Sequence, residues 1–453
     1  MSDTLMVSVS GMRGHVGTDL TPELVARYAA ALGAWAVAAG KPRVVLGRDS
    51  RTSGPMFARA AAAGLMSVGA TVIDVGMVPT PTVQMAVEHH RAGAGLILTA
   101  SHNPIEWNAL KFVGPDGIFL DAADGAAVRA LAEQGPARQG WDGLGDAVMD
   151  PDAVERHFQA ILALPFLDLA AIRQRRFRVA LDTVRGAGGG SVPGFLQQLG
   201  CEVFGINLET DGRFPRPPEP VPENLGDLGR IVREHRADIG MAVDPDVDRL
   251  ALVDQEGRPI GEDYTLALAI RAMLGTAPVA PPPTVVVNLS TSLVVEDAAR
   301  AAGARFVRAP VGEANVARAI RDEGAIIGGE GNGGVMLPAL HIGRDAPLGM
   351  ALILHGLARS GKTVSALVDE APRYAIVKAK SPRGSDLRKL YDALRRNFAD
   401  ADADERDGLR LAWPDRWLHV RPSGTEPIVR LIAEAPTAAA AESLVSAART
   451  LLA

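Results

Sequence analysis

Short apolar runs bounded by glycine recur along this chain, and their spacing sets out its organisation. Three segments open with a β-branched run that ends in a polar loop: residues 44–46 before GRDSR, 179–181 before DTVRGAGG, and 285–287 before NLSTS. Each leads into a helix-compatible stretch, then a glycine and a second extended run: GATVIDVG (69–76), GCEVFGIN (200–207) and GARFVRAP (303–310). A third run closes each unit: GAGLILTA (93–100), ADIGMAVD (237–244) and GAIIGGE (324–330). Continuous apolar runs suit strands covered on both faces, and their alternation with helices predicts α/β units with mixed, mainly parallel sheets.

Three such units in register predict three similar α/β domains, at 1–150, 151–253 and 254–367, with GLGDAVMDPDAV (143–154) read as a linker. The remainder, 368–453, breaks the pattern. It holds a helical stretch, an acidic loop ADADADERDG, the strand-like WLHV and IVRLIAEA, and a closing helix, which predicts a divergent α+β domain. At the start, Thr21 as cap, Pro22 at the first helical position and Gly40 as terminator predict a helix. Leu24, Tyr28, Leu32 and Trp35 would form its apolar face.

Composition narrows the class. At 453 residues the chain exceeds a single core, and 47% hydrophobic with 22% charged residues is the balance of a globular protein. The net charge of -6 leaves no basic footprint for a nucleic-acid partner. A single cysteine, Cys201, excludes a disulfide framework and a thiolate metal cluster within the chain. No apolar run reaches the ~20 residues of a membrane span. The opening MSDTLMVSVSG lacks a basic patch followed by an apolar core, so the expectation is a cytoplasmic protein.

Four polar loops carry the candidate chemistry. The first, TASHNP (99–104), presents Ser101 at a strand end beside the stiff Pro104, as a nucleophile or as the capping serine of an Asn-Pro turn. Three alternate carboxylates in DPDVDR (244–249), namely Asp244, Asp246 and Asp248, can converge on one hard cation, with oxygen ligands favouring magnesium over zinc, or are solvated aspartates of a turn; the buried run before them favours the metal loop. The loop is not an EF-hand, because Arg249 stands where glycine is needed and Gln255 where glutamate is needed. The glycine-rich GEGNGG (329–334) offers Glu330 and Asn332 as polar handles, or is a plain tight loop. RPSGTEP (421–427) is either a phosphate cradle or a polar turn.

TASHNP, DPDVDR, GEGNGG and RPSGTEP, in this order, resemble the four active-site loops of the α-D-phosphohexomutase superfamily. SGMRG (10–14) and GRDSR (47–51) extend the resemblance to essentially the whole chain. The resemblance implies a phosphohexomutase that interconverts hexose 6-phosphate and hexose 1-phosphate through a bisphosphorylated sugar. It implies a phosphoserine at Ser101, which would join Asp244, Asp246 and Asp248 around one Mg2+. It gives Arg249, Arg13, His102 and Lys111 roles in proton transfer and charge stabilisation. Glu330, Asn332 and Gly333 would contact the sugar, and Arg421, Ser423, Gly424 and Thr425 the phosphate that is not reacting.

GEGNGG departs from the Ser-Gly-His form of many bacterial relatives, and His341 in LHIGRD stands as a candidate replacement for the missing histidine. With SGMRG and APVGEANVA (309–317), this form is most similar to archaeal-type phosphoglucosamine mutases. Phosphomannomutase or phosphoglucomutase activity is the competing expectation. A haloacid-dehalogenase-type phosphatase using Asp244, and a non-catalytic sugar-phosphate sensor, are the rivals from other classes. The partner implied is a hexose phosphate, with the chain a monomer or homodimer. A hinge at 365–375 is expected to let the last domain open and close.

Overall fold

The computed structural model describes residues 5–8, 11–275, 280–382, 386–423 and 428–452. Its first sheet has seven strands in the order Met6–Ser8, Gly11–His15, Trp107–Val113, Ala94–Leu98, Arg43–Arg48, Thr71–Met77 and Ala147–Met149. The second runs Leu250–Val253, Ile239–Val243, Arg178–Asp182 and Glu202–Ile206, and the third Arg305–Ala309, Thr284–Asn288, Ile327–Glu330 and Gly334–Met336. One arrangement underlies all three. The first strand of each unit lies between the second and third, parallel to both, and a fourth strand returns antiparallel beside the third.

The returning strands, Trp107–Val113, Leu250–Val253 and Gly334–Met336, did not stand out among the sequence runs, because each is short or interrupted by polar residues. They have a consequence for function. The polar loops TASHNP, DPDVDR and GEGNGG each occupy the turn between third and fourth strands, and are therefore equivalent positions of one repeated fold.

The fourth sheet is wholly antiparallel, ordered Ala375–Pro382, Ile428–Ala435, Trp417–Pro422, Leu409–Ala412 and Asp402–Asp404, and is covered by helices Leu387–Asn397 and Ala438–Leu452. The molecule is thus three α/β units and a divergent α+β unit. The second and third units share one apolar core, centred on the almost wholly buried helix Ala346–Ser360, whereas the first and fourth have cores of their own. No helix among the described residues is long and apolar enough to cross a membrane.

Three local expectations need correction. Residues 147–149, read as linker, form an edge strand paired with Thr71–Met77; the open edge of that sheet recruits backbone even though all three side chains are exposed. The acidic run contains the edge strand Asp402–Asp404 for the same reason. Helix Pro22–Ala38 is capped by Thr21 as expected, but Leu24 and Trp35 flank its buried face rather than form it. Tyr28 and Leu32 are buried as expected, and the small side chains Ala29–Ala31 and Ala36 turn inward beside them, because the neighbouring helix Gly54–Met66 approaches so closely that a Cβ on Gly64 would lie 2.2 Å from the Ala26 carbonyl oxygen.

Candidate active site

Ser101 sits at the turn after Ala94–Leu98 with φ +49°, in the left-handed region that non-glycine residues rarely occupy. Its buried hydroxyl donates to Asp244 Oδ2 at 2.8 Å, across the boundary between the first and second units. His102 Nδ1 lies 3.5 Å from the same Oγ. Val247, in the aspartate loop, also holds a positive φ, +61°, which a β-branched side chain resists; strain of this kind gathers at functional sites.

The three aspartates meet with their ligand atoms within 4.8 Å of one another, all buried. Asp244 has both oxygens engaged, and Asp246 and Asp248 one each. Asp244 Oδ1 accepts from the Asp248 and Arg249 backbone N–H groups. Asp246 Oδ2 accepts from Lys111 Nζ at 2.7 Å and Thr80 Oγ1 at 2.8 Å, both from the first unit. Asp248 Oδ2 accepts from Arg344 Nη2 at 2.6 Å, from the third. Asp246 Oδ1 and Asp248 Oδ1 are buried without a hydrogen-bond donor among the described residues. Orphaned carboxylate oxygens in an all-oxygen set fit a hard divalent cation such as magnesium.

The electrostatics point the same way. Burial and the two neighbouring carboxylates push Asp244 far above the ordinary carboxylate range. Asp246 is held below that range: burial opposes its charge, but Lys111 and the hydrogen bonds from Asp244, Lys111 and Thr80 prevail. For Lys111, burial works against the ammonium, and Asp246 and Asp248 outweigh it, so the lysine stays charged. His102 is driven well below its usual value by burial and by the nearby Arg249 and Arg13 cations, and is neutral near pH 7.

Two connected pockets open onto these groups. The smaller, of about 340 Å³, is lined by Ser101, Lys111, Glu313, Asn315 and Arg344, among others. Arg13, His102, Arg249 and Val311 line both it and a larger cleft of about 1000 Å³, which extends to Asn332 in the third unit and to Lys378, Arg421 and Arg430 in the fourth. Arg13 donates to Asn103 at 2.6 Å, and Arg249 to Glu219 at 3.3 Å. All four units therefore contribute wall to one continuous space.

Other expected residues have different surroundings. Glu330 is buried, and its oxygens accept from Asn288, the Gly312 N–H and Arg344. Burial opposes its charge, but Arg344 and Asn288 lead the interactions that hold it below the usual range. Gly333 takes φ +86°, and a Cβ there would lie 2.3 Å from the Leu250 carbonyl oxygen, so the glycine loop docks directly on the second unit. Ser423 is buried near the cleft-lining Arg421, while Gly424 and Thr425 lie outside the described residues.

His341 does not replace a loop histidine. It is buried away from both pockets, with Nε2 3.0 Å from Asp345 Oδ2. The same oxygen meets His157 Nε2 at 2.7 Å, and His157 Nδ1 meets Thr82 Oγ1 at 2.8 Å, so this cluster ties together helices of separate units.

The residue that the sequence reading passed over is Arg344. Its guanidinium contacts Asp248, Glu330 at 2.8 Å and Glu313 at 3.1 Å, joining the aspartate and glycine loops. The signal was an arginine beside the buried aspartate of HIGRD, indistinguishable in sequence from a solvated loop residue.

The comparisons agree along the whole chain. Family models for phosphoglucomutase/phosphomannomutase match in succession: alpha/beta/alpha domain I over residues 5–139, domain II over 155–257, domain III over 261–374, and the C-terminal domain over 376–451. A "phosphoglucomutase/phosphomannomutase" of Thermococcus kodakarensis is 39% identical over 94% of this chain and 93% of its own. A "probable phosphoglucosamine mutase" of Methanopyrus kandleri is 37% identical over 96% and 95%. A crystal structure of a phosphoglucomutase/phosphomannomutase family protein from Burkholderia thailandensis superposes with TM-score 0.86 at 28% identity, covering 99% of this chain and 96% of that one.

Proposed function

The chain belongs to the phosphoglucomutase/phosphomannomutase family and is a phosphohexomutase, an intramolecular phosphotransferase of the isomerase class; we propose that it works through a phosphoserine at Ser101, with glucosamine phosphate as its sugar. The observation that carries the phosphoserine is Ser101 Oγ at 2.8 Å from Asp244, with two further carboxylates bearing orphaned oxygens beside it. The Methanopyrus relative supports glucosamine, and the Thermococcus relative favours phosphomannomutase or phosphoglucomutase activity as the second reading. Divisions near residues 150, 253 and 367 are part of the proposal.

In the first half-reaction the bond between Ser101 Oγ and phosphorus breaks, and one forms to the free hydroxyl of the hexose monophosphate. The sugar hydroxyl loses its proton, for which His102, neutral and on the pocket wall, is the acceptor. Magnesium held by Asp244, Asp246 and Asp248 would supply charge stabilisation for the transferring oxygens. Lys111 holds Asp246 and Arg344 holds Asp248 in place by charged hydrogen bonds, and Arg249 and Arg13 supply positive charge at the rim. The bisphosphate then turns, and the bond between its other phosphorus and the sugar oxygen breaks as one forms to Ser101 Oγ, the freed sugar oxygen taking the proton back from His102.

Turning requires one site to accept the sugar in two poses, so whichever phosphate is not reacting needs a fixed grip. Arg421 and the loop that follows it provide that grip in this reading, with Lys378 and Arg430 on the same wall. Asn332 would meet the sugar directly, and Glu330 would act by shaping the loop around it.

Ser101→Ala tests the central claim. Nearly all turnover should vanish, together with a phosphate-sized adduct in the intact mass; an active variant would refute it. A coupled assay on glucosamine, mannose and glucose phosphates decides the sugar.

A further inference from the structure

Behind the serine loop, away from both pockets, lies a fully buried guanidinium. Arg51 belongs to GRDSR, at the end of strand Arg43–Arg48, and neither it nor Asp49 lines the pockets. Its Nη2 donates to the carbonyl oxygens of Ser101 at 2.7 Å and Asn103 at 2.6 Å. Its Nη1 donates to those of Pro104 at 2.6 Å and Trp107 at 2.8 Å. Nε donates to Asp49 Oδ2 at 3.1 Å. Every N–H of the guanidinium is used, three of the five on the serine loop and a fourth on Trp107, where the next strand begins.

A second route reaches the same serine. Asp49 Oδ2 also accepts from Thr99 Oγ1 at 2.6 Å, and Thr99 Oγ1 accepts from the Ser101 backbone N–H at 2.9 Å. The peptide planes on both sides of Ser101 are therefore anchored, one through Thr99 and one through Arg51. Fixing both planes fixes the Cα–Cβ direction and with it the approach of Oγ to Asp244. The anchoring matters because Ser101, a non-glycine residue, is held in the strained left-handed region at φ +49°.

The second unit closes over this hub. The Phe214 ring lies 5.0 Å from the guanidinium carbon, and Ser50 Oγ donates to the Arg185 carbonyl at 2.8 Å. Gly212 packs so closely that a Cβ would lie 2.3 Å from the Ser50 carbonyl oxygen. Arg51 thus ties the serine loop to the unit that carries the three aspartates.

We propose that Arg51 is the positioning residue of phosphoryl transfer: it acts through the carbonyls of the serine loop, holding Ser101 Oγ in line with Asp244, and touches no substrate. This rests on Ser101 as the phosphoryl carrier. Lysine keeps the charge but presents three donors from one point, and cannot span four carbonyls and a carboxylate.

The test compares wild type, Arg51→Lys and the near-isosteric Thr99→Val. For each, kcat and KM are measured per folded molecule, with folding followed by circular dichroism. Transfer from glucose 1,6-bisphosphate to dephosphorylated enzyme is timed by intact mass. Since displacing a reacting atom by ~1 Å can cost ~100-fold, Arg51→Lys should lower kcat and the transfer rate about 100-fold, with KM changed less than about threefold. Thr99→Val, which removes both hydrogen bonds of the Thr99 hydroxyl, should lower both rates roughly tenfold.

A merely structural arginine would lower the melting temperature and leave kcat per folded molecule intact; that result, or a defect confined to KM, overturns the proposal. If Arg51→Lys does not fold, Thr99→Val decides alone, and an unchanged kcat is the overturning result. Wild-type enzyme that never accepts phosphate on Ser101 refutes the phosphoserine itself, a distinguishable outcome.

Discussion

Arg344 contacts three carboxylates from separate stretches of chain, and shows how the site balances its charge at the level of single residues. Asp248, Glu313 and Glu330 are all buried, and Arg344 is the cation that lies closest to each of them among the described residues, with Lys111 and Arg249 at 3.9 and 3.8 Å from Asp248. Removing one partner of a buried ion pair leaves an uncompensated charge, at a cost of about 3–5 kcal/mol. Arg344→Met should therefore lose about that much stability in urea unfolding, and Arg344→Lys less; a loss under about 1 kcal/mol for the methionine variant would show that the cluster does not need its cation.

Asp263 gives a pH prediction at the same scale. It faces the larger cleft and accepts from the Ser292 N–H at 2.9 Å. Burial pushes it from 3.8 up to about 8, against the lowering effect of that hydrogen bond. A carboxyl raised on folding contributes stability at low pH that is lost as pH rises through its folded value. The ligand-free enzyme should therefore lose thermal stability between about pH 4 and about pH 8, and Asp263→Asn should flatten that slope. Identical slopes for the two proteins would remove Asp263 as the cause.

Among elements, the repeated hairpin turn matters most. Serine, aspartate and glycine loops occupy the same turn of three copies of one sheet arrangement, so the repeat places all three comparably. In the third copy the turn is held against the second unit by the Leu250 N–H, which donates to the Gly333 carbonyl at 3.1 Å. Gly333→Ala adds a Cβ at a positive φ and against the Leu250 carbonyl. It should cost roughly 1–3 kcal/mol in thermal unfolding and raise KM, by displacing Asn332; an unchanged KM would show that this turn does not shape the sugar pocket.

For the whole molecule, the question is how the fourth unit is held. Glu434, fully buried, accepts from Ser292 Oγ and from the Leu293 N–H at 2.8 Å, both at the start of helix Leu293–Ala301, and from Trp417 Nε1 at 2.6 Å within its own unit. The expected hinge is shorter than its sequence span, because Val364–Asp369 is helical and only 370–374 separate it from the strand Ala375–Pro382. Opening at this hinge has to break the Glu434 contacts to the third unit. Hydrogen bonds to charged groups are worth about 1.5–3 kcal/mol, so Glu434→Ala should speed tryptic cleavage after the exposed Arg373 by roughly tenfold or more. An unchanged rate would mean that this carboxylate does not hold the unit closed.

The sequence by itself determined the repeat and the loops. Apolar runs bounded by glycine revealed the three parallel strands of each unit, because strands covered on both faces must be continuously apolar. Ser101 and the three aspartates were legible because each lies within a compact local pattern. The edge strands at 147–149 and 402–404 were not, since they pair through backbone alone and their side chains carry no signal. Only the tertiary structure decided that Arg344 joins two loops, that Arg51 serves the serine turn, and that His341 serves a buried tie between units. A sequence records which groups a chain has, whereas an arginine's partners are set by which distant carbonyls and carboxylates the packing brings within about 3 Å.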